Sequence, residues 1–217
     1  MPLFRLDASI RSEGSHSSQI ADVVLEEWRS MRPDDRIVTR HLGKDPIAST
    51  VWPLAVNAAY TPPEQRTLQQ REAVALVAEL TDELLAADAI IVAAPLYNFG
   101  VSQHLKTWVD LIITDPRMST ESNPLEGKPT VLITARGGAY GPGTPREGWD
   151  HATPWMRRIF ADVWKLDLRI VEAEFTLVGV NPALDEFKDI AATMRETAEA
   201  TAREYGRAIA LGDGTAA

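Results

Sequence analysis

The sequence predicts an α/β fold in which five parallel strands form a doubly wound sheet of order 2-1-3-4-5. Strand-like runs alternate with helical patterns five times along the chain, which argues for crossover connections. Residues 89–94 are a short, continuous apolar run of the kind found in strands buried on both faces, and residues 130–134 read as a further buried strand. Right-handed crossovers then leave this strand order as the favoured one.

Each element follows from local pattern. Residues 3–8 alternate weakly as the first strand and run into residues 9–18, a serine-rich stretch containing Gly14. Ile20, Val23, Val24 and Trp28 form a helical stripe that Pro33-Asp34-Asp35 ends. Residues 36–41 alternate as a second strand, and residues 45–60, with Pro46 and Pro53, read as a long surface loop. Thr61-Pro62-Pro63-Glu64 predicts a helix start, with Thr61 as cap, proline at the first helical position and Glu64 completing a capping box. That helix sets Leu76, Leu80 and Leu84 on one face with Val77 beside them. After the third strand, residues 89–94, Ser102 caps a helix whose inward side is Leu105, Trp108, Val109 and Ile112.

The fourth strand, residues 130–134, ends at Ala135-Arg136-Gly137-Gly138. A Gly/Pro-rich loop extends from there to Thr153-Pro154, where a helix begins. Residues 168–173 are the last strand. Asn181-Pro182 starts a terminal helix with Phe187, Ala191, Met194, Ala198, Tyr205 and Ile209 inward. Residues 1–211 are expected to form a single domain, and residues 212–217 a frayed tail.

Composition excludes several function classes. With 22 Lys and Arg against 31 Asp and Glu, the formal net charge of −9 repels a phosphate backbone, so no nucleic-acid partner is expected. The absence of cysteine removes disulfides, thiolate catalysis, Cys-ligated zinc and iron–sulfur clusters. Apolar runs such as residues 89–95 are too short to cross a bilayer, and the first residues lack a secretion signal's basic and apolar regions. A cytoplasmic protein without membrane partners is expected. His16, His41, His104 and His151 show no metal-ligand spacing, so no metal is expected. No nucleophile motif accompanies Asp150-His151. Asp7 lacks the acidic cluster and lysine of a phospho-receiver site.

In such a sheet, ligands bind beyond the carboxyl ends of the strands, where the strand order reverses. The loops there are residues 9–18, 95–100 and 135–143, which are also the most unusual stretches of the chain. The first offers Ser9, Ser12, Ser15, Ser17 and Ser18 ahead of a helix N-terminus, which suits a phosphate monoester; ordinary N-capping would need one of them. It is not a Walker A loop, and no dinucleotide glycine fingerprint is present, so a mononucleotide is the better reading. Pro95-Leu96-Tyr97-Asn98-Phe99-Gly100 can hold a flat heteroaromatic ring, or its aromatics can plug the core. Arg136-Gly137-Gly138 allows close backbone approach, with an arginine able to counter negative charge or simply to sit at the surface. Tyr140, Trp149, Trp155 and Trp164 can line an apolar substrate cavity or belong to the core.

At these residues the chain resembles the FMN-dependent NADH:quinone oxidoreductase/azoreductase family of flavodoxin-like flavoenzymes. The resemblance spans nearly the whole chain: the Ser9…Ser15-His16-Ser17 loop, the helix following Thr61-Pro62, Ala94-Pro95-Leu96-Tyr97-Asn98-Phe99, and Arg136-Gly137-Gly138. It implies that Ser9, Ser15, His16 and Ser17 bind the FMN phosphate. It also implies that Leu96, Tyr97, Asn98 and Phe99 border the isoalloxazine ring, and that Ala135, Arg136, Gly137 and Gly138 contact its pyrimidine side. Family members are homodimers that take hydride from NADH or NADPH onto flavin N5 and pass two electrons to a quinone or azo compound. FMN carries that chemistry, so no catalytic side chain is expected. Three departures stand out: Ala135 where a hydroxyl residue is common, Leu96 where methionine is frequent, and residues 139–155 as a whole. Tyr140, Trp149 and His151 in that last segment are expected to shape the substrate pocket. A flavin-bound electron carrier, a reductase of another aromatic acceptor such as a nitroaromatic, and an interaction module without flavin are the alternatives.

Overall fold

The computed structural model describes residues 1–11, 13–118 and 123–212. Ser12 and residues 213–217 of the expected tail lie outside them. Five strands form one parallel sheet: β1 (Leu3–Asp7), β2 (Ile37–His41), β3 (Ala89–Pro95), β4 (Pro129–Ala135) and β5 (Asp167–Ala173), in the order β2-β1-β3-β4-β5. The expected sheet order is thus observed.

Side chains alternate across the sheet with the two-residue period of a strand. Phe4 and Leu6 of β1, Ile90 and Val92 of β3 and Leu132 of β4 join one core cluster. That layer is covered by α2 (Val51–Ala59), α3 (Leu68–Ala86), α4 (Gln103–Ile113) and α5 (Thr153–Arg157). Leu3, Ala89, Ile91, Val131, Ile133 and Val171 face the opposite way, under α1 (His16–Met31) and α6 (Lys188–Leu211). Trp108 of α4 anchors the first layer, stacked on Phe4 at 6.3 Å between ring centroids and edge-on to Trp164 at 5.9 Å. Trp164 is therefore core, not a cavity wall. Trp155 is half-buried, 5.8 Å from Lys106 Nζ.

Several local expectations are corrected. Residues 45–60 are not one loop, because they contain α2. Pro53 is the third residue of that helix, and a proline in the first turn sacrifices an N–H that has no intrahelical acceptor anyway. The next helix does not start at Thr61, whose hydroxyl instead donates to the Asn57 carbonyl oxygen at the end of α2. Residues Pro63–Gln65 make a single 3₁₀ turn, and α3 is capped by Thr67, with Gln70 closing the capping box. Ser102 stands at the cap position of α4, but its hydroxyl donates to the Ala8 carbonyl oxygen at 3.0 Å, tying the end of β1 to α4. Asn181 caps a 3₁₀ turn over Pro182–Phe187, and α6 begins only after it. Beyond α5 the chain continues as a π-helical segment, Arg158–Val163. Gly212, at φ 75°, ends α6 in the left-handed conformation.

Candidate active site

The loop after β1 is held from below and from the side. A Cβ at Gly43 would collide with the Ser9 carbonyl oxygen, so only glycine lets the turn after β2 pass this close. Ser9 is buried; its Oγ accepts from the Arg11 N–H and is hydrogen-bonded to the Tyr97 hydroxyl, both at 3.1 Å. The same Tyr97 hydroxyl accepts from the Ile10 N–H at 3.1 Å, so the loops after β1 and β3 share one polar hub.

Ser15 is the N-cap of α1, its Oγ accepting from the Ser18 N–H and lying 3.1 Å from Ser17 Oγ. The positive end of this 16-residue helix opens beside two buried hydroxyls. His16, the first residue of α1, has Nδ1 3.3 Å from a guanidinium nitrogen of Arg195 on α6. Burial, reinforced by Arg195 and Arg11, pushes its pKa below the ordinary histidine value. It adds no charge of its own near neutral pH, but it sits where two arginines create a positive potential.

The loop after β3 is a tight turn. Tyr97 and Gly100 exchange backbone hydrogen bonds of 3.1 and 2.9 Å, and the Leu96 N–H donates to the Ala135 carbonyl oxygen at 2.9 Å. Asn98 and Phe99 between them hold φ of 48° and 66°. The left-handed region is unfavourable for a bulky residue such as Phe99, and strain of this kind gathers at binding sites. Across from them, Leu177 lies over Gly137, its Cδ1 2.6 Å from where a Cβ would be.

Arg136 does not reach the cleft. Only 5% exposed, its guanidinium pairs with Asp150 at 3.0 Å and Glu174 at 3.1 Å, pairs also with Glu172, and donates to the Thr153 hydroxyl at 3.2 Å. Burial opposes its charge, but Glu172 and Asp150 outweigh that and hold its pKa up. The guanidinium is thus directed into three carboxylates and away from the cleft, neither facing a ligand nor lying at the surface as the sequence reading allowed.

Those carboxylates hold both ends of residues 140–153. Glu174 accepts from the Tyr140 N–H, and Asp150 accepts from the Ala152 and Thr153 N–H groups, each at 2.9 Å. The same segment docks on the β3 loop: the His151 N–H donates to the Phe99 carbonyl oxygen at 2.9 Å, and Phe99 meets Trp149 edge-on at 5.3 Å.

These loops enclose a cleft of about 330 Å³, within the size range of small-molecule sites. Of the expected residues, Ser9, Ser15, His16 and Ser17 line one side of it, and Leu96, Tyr97, Asn98, Phe99, Ala135, Gly137 and Tyr140 also face it. Gly138, Trp149 and His151 stand behind that lining with Arg136: Gly138 lies under the Arg146 guanidinium, Trp149 is 51% exposed, and the His151 side chain is exposed. Sequence reasoning missed Arg11, Arg146, Thr176 and Leu177 in the lining, and Arg195 beside His16. Arg195 comes from 179 residues away, and no local pattern marks it. The acids Glu172 and Glu174, one strand period apart beside the end of β4, were a readable signal for the Arg136 cluster.

A cleft with hydroxyls and helix N–H groups at one end, and an apolar, aromatic surface at the other, fits a phosphorylated flat ring such as FMN. The family described as Flavodoxin-like fold matches residues 1–199. A protein of Frankia casuarinae named FMN-dependent NADH:quinone oxidoreductase is 40% identical over 204 residues, covering 93% of this chain and 96% of its own length. One of the same name from Streptomyces coelicolor is 32% identical over 92% of this chain and 91% of its own. Among solved structures, an azoreductase from Bacillus anthracis superposes with a TM-score of 0.76 at 19% identity, over 95% of this chain and 99% of that one. A Bacillus anthracis FMN-dependent NADH-azoreductase in complex with FMN gives 0.73 at 18% identity, over 94% and 99%. At that identity they share the fold. Given the match at 40% identity over nearly the full length of both chains, this chain belongs to the Flavodoxin-like fold family and, within it, to the FMN-dependent NADH:quinone oxidoreductases.

Proposed function

We propose that this chain is an FMN-dependent oxidoreductase that takes electrons from NADH or NADPH and delivers them to quinones, with aromatic azo compounds as further acceptors. One observation carries the reading. The serine-lined end of α1, the strained Asn98-Phe99 turn and the Gly137 loop meet in a single cleft, in a chain that matches proteins named for this activity.

In this reading Ser9, Ser15 and Ser17 hydrogen-bond the phosphate, with the α1 N–H groups and the nearby Arg11 and Arg195 supplying positive potential. Leu96, Tyr97, Asn98 and Phe99 border the ring. Ala135 and Gly137 let backbone approach its polar edge, and Gly138 supports them from behind. When bound, FMN supplies reversible hydride chemistry, so the chain needs no acid–base pair of its own. Its residues bind, orient and keep solvent out. Tyr140, Trp149 and His151, carried by the segment that Arg136 ties down, form the acceptor side. We further propose that residues 1–211 act as one domain, that the protein is a cytoplasmic homodimer, and that small aromatic acceptors are its partners.

The test is the visible spectrum of the purified protein, followed by NADH under anaerobic conditions. Flavin bands that bleach within a turnover time, and return on adding a quinone, are the expected result. Bands that persist after NADH would favour an electron carrier, and a protein that retains no FMN when given it would defeat the reading. The aromatic wall contributed by residues 140–153 favours a substrate pocket over a bare carrier surface.

A further inference from the structure

The cleft is at odds with the charge of the molecule. The chain carries 31 acids against 22 lysines and arginines, yet the described residues lining this cleft include two arginines, Arg11 and Arg146, and no carboxylate. Phosphate recognition accounts for Arg11, which belongs to the β1 loop and acts electrostatically on His16 at the start of α1. It does not account for Arg146. In the order β2-β1-β3-β4-β5, the loops after β1 and β4 flank the loop after β3, so the two arginines enter from opposite sides.

Arg146 is held against an aromatic surface. Its guanidinium carbon is 5.7 Å from the Tyr140 ring centroid, and one of its nitrogens donates to the Tyr140 hydroxyl at 3.3 Å. Tyr140 in turn lies 6.4 Å from Phe99. Among the described residues Arg146 makes no ion pair, because the neighbouring acids are engaged elsewhere. Glu147 accepts from the Gly143 N–H, while Glu174 and Asp150 belong to the Arg136 cluster. A guanidinium packed on a ring keeps its N–H edges available, and their planar fork matches a carboxylate or sulfonate.

We propose that Arg146 makes this site selective for aromatic acceptors that bear an anionic substituent: the Tyr140–Phe99 surface receives the ring, and Arg146 receives its carboxylate or sulfonate. This rests on the function proposed above and names the acceptor class for the same site.

The experiment compares the FMN-loaded parent with Arg146→Gln and Arg146→Lys, using naphthoquinone and its sulfonated derivative as acceptors and NADH as donor. Acceptor potentials cancel when each variant's ratio of kcat/KM, sulfonated over neutral, is divided by the parent's. That double ratio is expected to fall about tenfold in Arg146→Gln, chiefly through KM, the size of one lost charge-assisted hydrogen bond. Arg146→Lys should recover part of it, and added salt should shrink the parent's preference. A double ratio within about twofold of one would overturn the proposal, since that is less than any hydrogen bond to a charged group contributes. So would a loss confined to the KM for NADH, which would assign Arg146 to the donor. Calorimetric binding of naphthalene sulfonate to the FMN-loaded protein reads the same contact without turnover, and Arg146→Gln should weaken it by about the same factor. If the parent reduces neither quinone, the proposed function fails, whereas equal sulfonate affinity in parent and Arg146→Gln sinks the arginine's role alone.

Discussion

Tyr97 shows how much one side chain can organise. Its hydroxyl meets Ser9 Oγ and the Ile10 N–H, so it sets the spacing between the loop proposed to hold the phosphate and the loop proposed to border the ring. Tyr97→Phe keeps the ring and removes the hub. FMN affinity should drop about fivefold, the size of one or two net hydrogen bonds, while the circular dichroism spectrum stays unchanged. Equal FMN dissociation constants would show that the two loops hold their spacing without it. His16 makes a different prediction. Its pKa is depressed on folding, so between the folded value and the ordinary 6.5 the unfolded chain binds more protons than the native one. Its share of stability is intact above that window and is lost as pH falls through it. Urea unfolding of His16→Gln should therefore show a shallower decline than the parent as pH falls below 6.5, and parallel curves would assign the slope to other groups.

At the scale of elements, the segment between β4 and α5 depends on one buried cation. Arg136 gathers Asp150, Glu172 and Glu174, and through two of them it fixes the Tyr140, Ala152 and Thr153 backbone. Removing one partner of a buried ion pair leaves the other charges stranded. Arg136→Met is expected to lower unfolding free energy by about 3–5 kcal/mol. Amide exchange should speed up across residues 140–153 before it does in the sheet. Exchange that rises uniformly would mean the segment is not a separately held unit. The pattern of β1 carries a similar lesson on a smaller scale. Arg5 and Asp7 point to the same side of their strand and are joined at 2.7 Å, so the polar positions of the alternation are buried as a charged pair, not exposed to solvent.

For the whole molecule, the sheet acts as a frame that brings three loops to one edge, and ligand binding should be coupled to its stability. If FMN binds only the folded chain, saturation at a hundred times the dissociation constant should raise unfolding free energy by about 2.7 kcal/mol, read as a higher, FMN-dependent melting temperature. Riboflavin, which lacks the phosphate, should give a smaller shift if the α1 end of the cleft contributes as proposed. Identical shifts with both compounds would place the binding energy in the ring alone. The two faces of the sheet also divide labour. The Trp108 cluster under α2 to α5 and the smaller layer under α1 and α6, which holds Trp28, are separate cores. The α1–α6 side also supplies His16 to the cleft, with Arg195 behind it, paired to Glu199.

Period and position in the sequence were enough for the strand order, for the faces of α1 and α4, and for the three loops that meet at the cleft. Buried strands and amphipathic helices announce themselves within a window of a few residues, because their burial is local in sequence. Boundaries governed by competing signals were harder. Thr61 and Thr67 both offer a cap, and Pro53 looks like a breaker until it falls in a first turn, where its missing N–H is harmless. The site divides in the same way. Serines, Tyr97 to Phe99 and the glycines were legible as residue types suited to a phosphate and a ring. Which charges face the ligand was decided only by tertiary structure. Arg136, inside the motif, turns away into three carboxylates, while Arg11 and Arg146, outside it, line the cleft. The direction of a long charged side chain depends on acids brought close by folding, and strand register and helix docking fix those positions, not the neighbours along the chain.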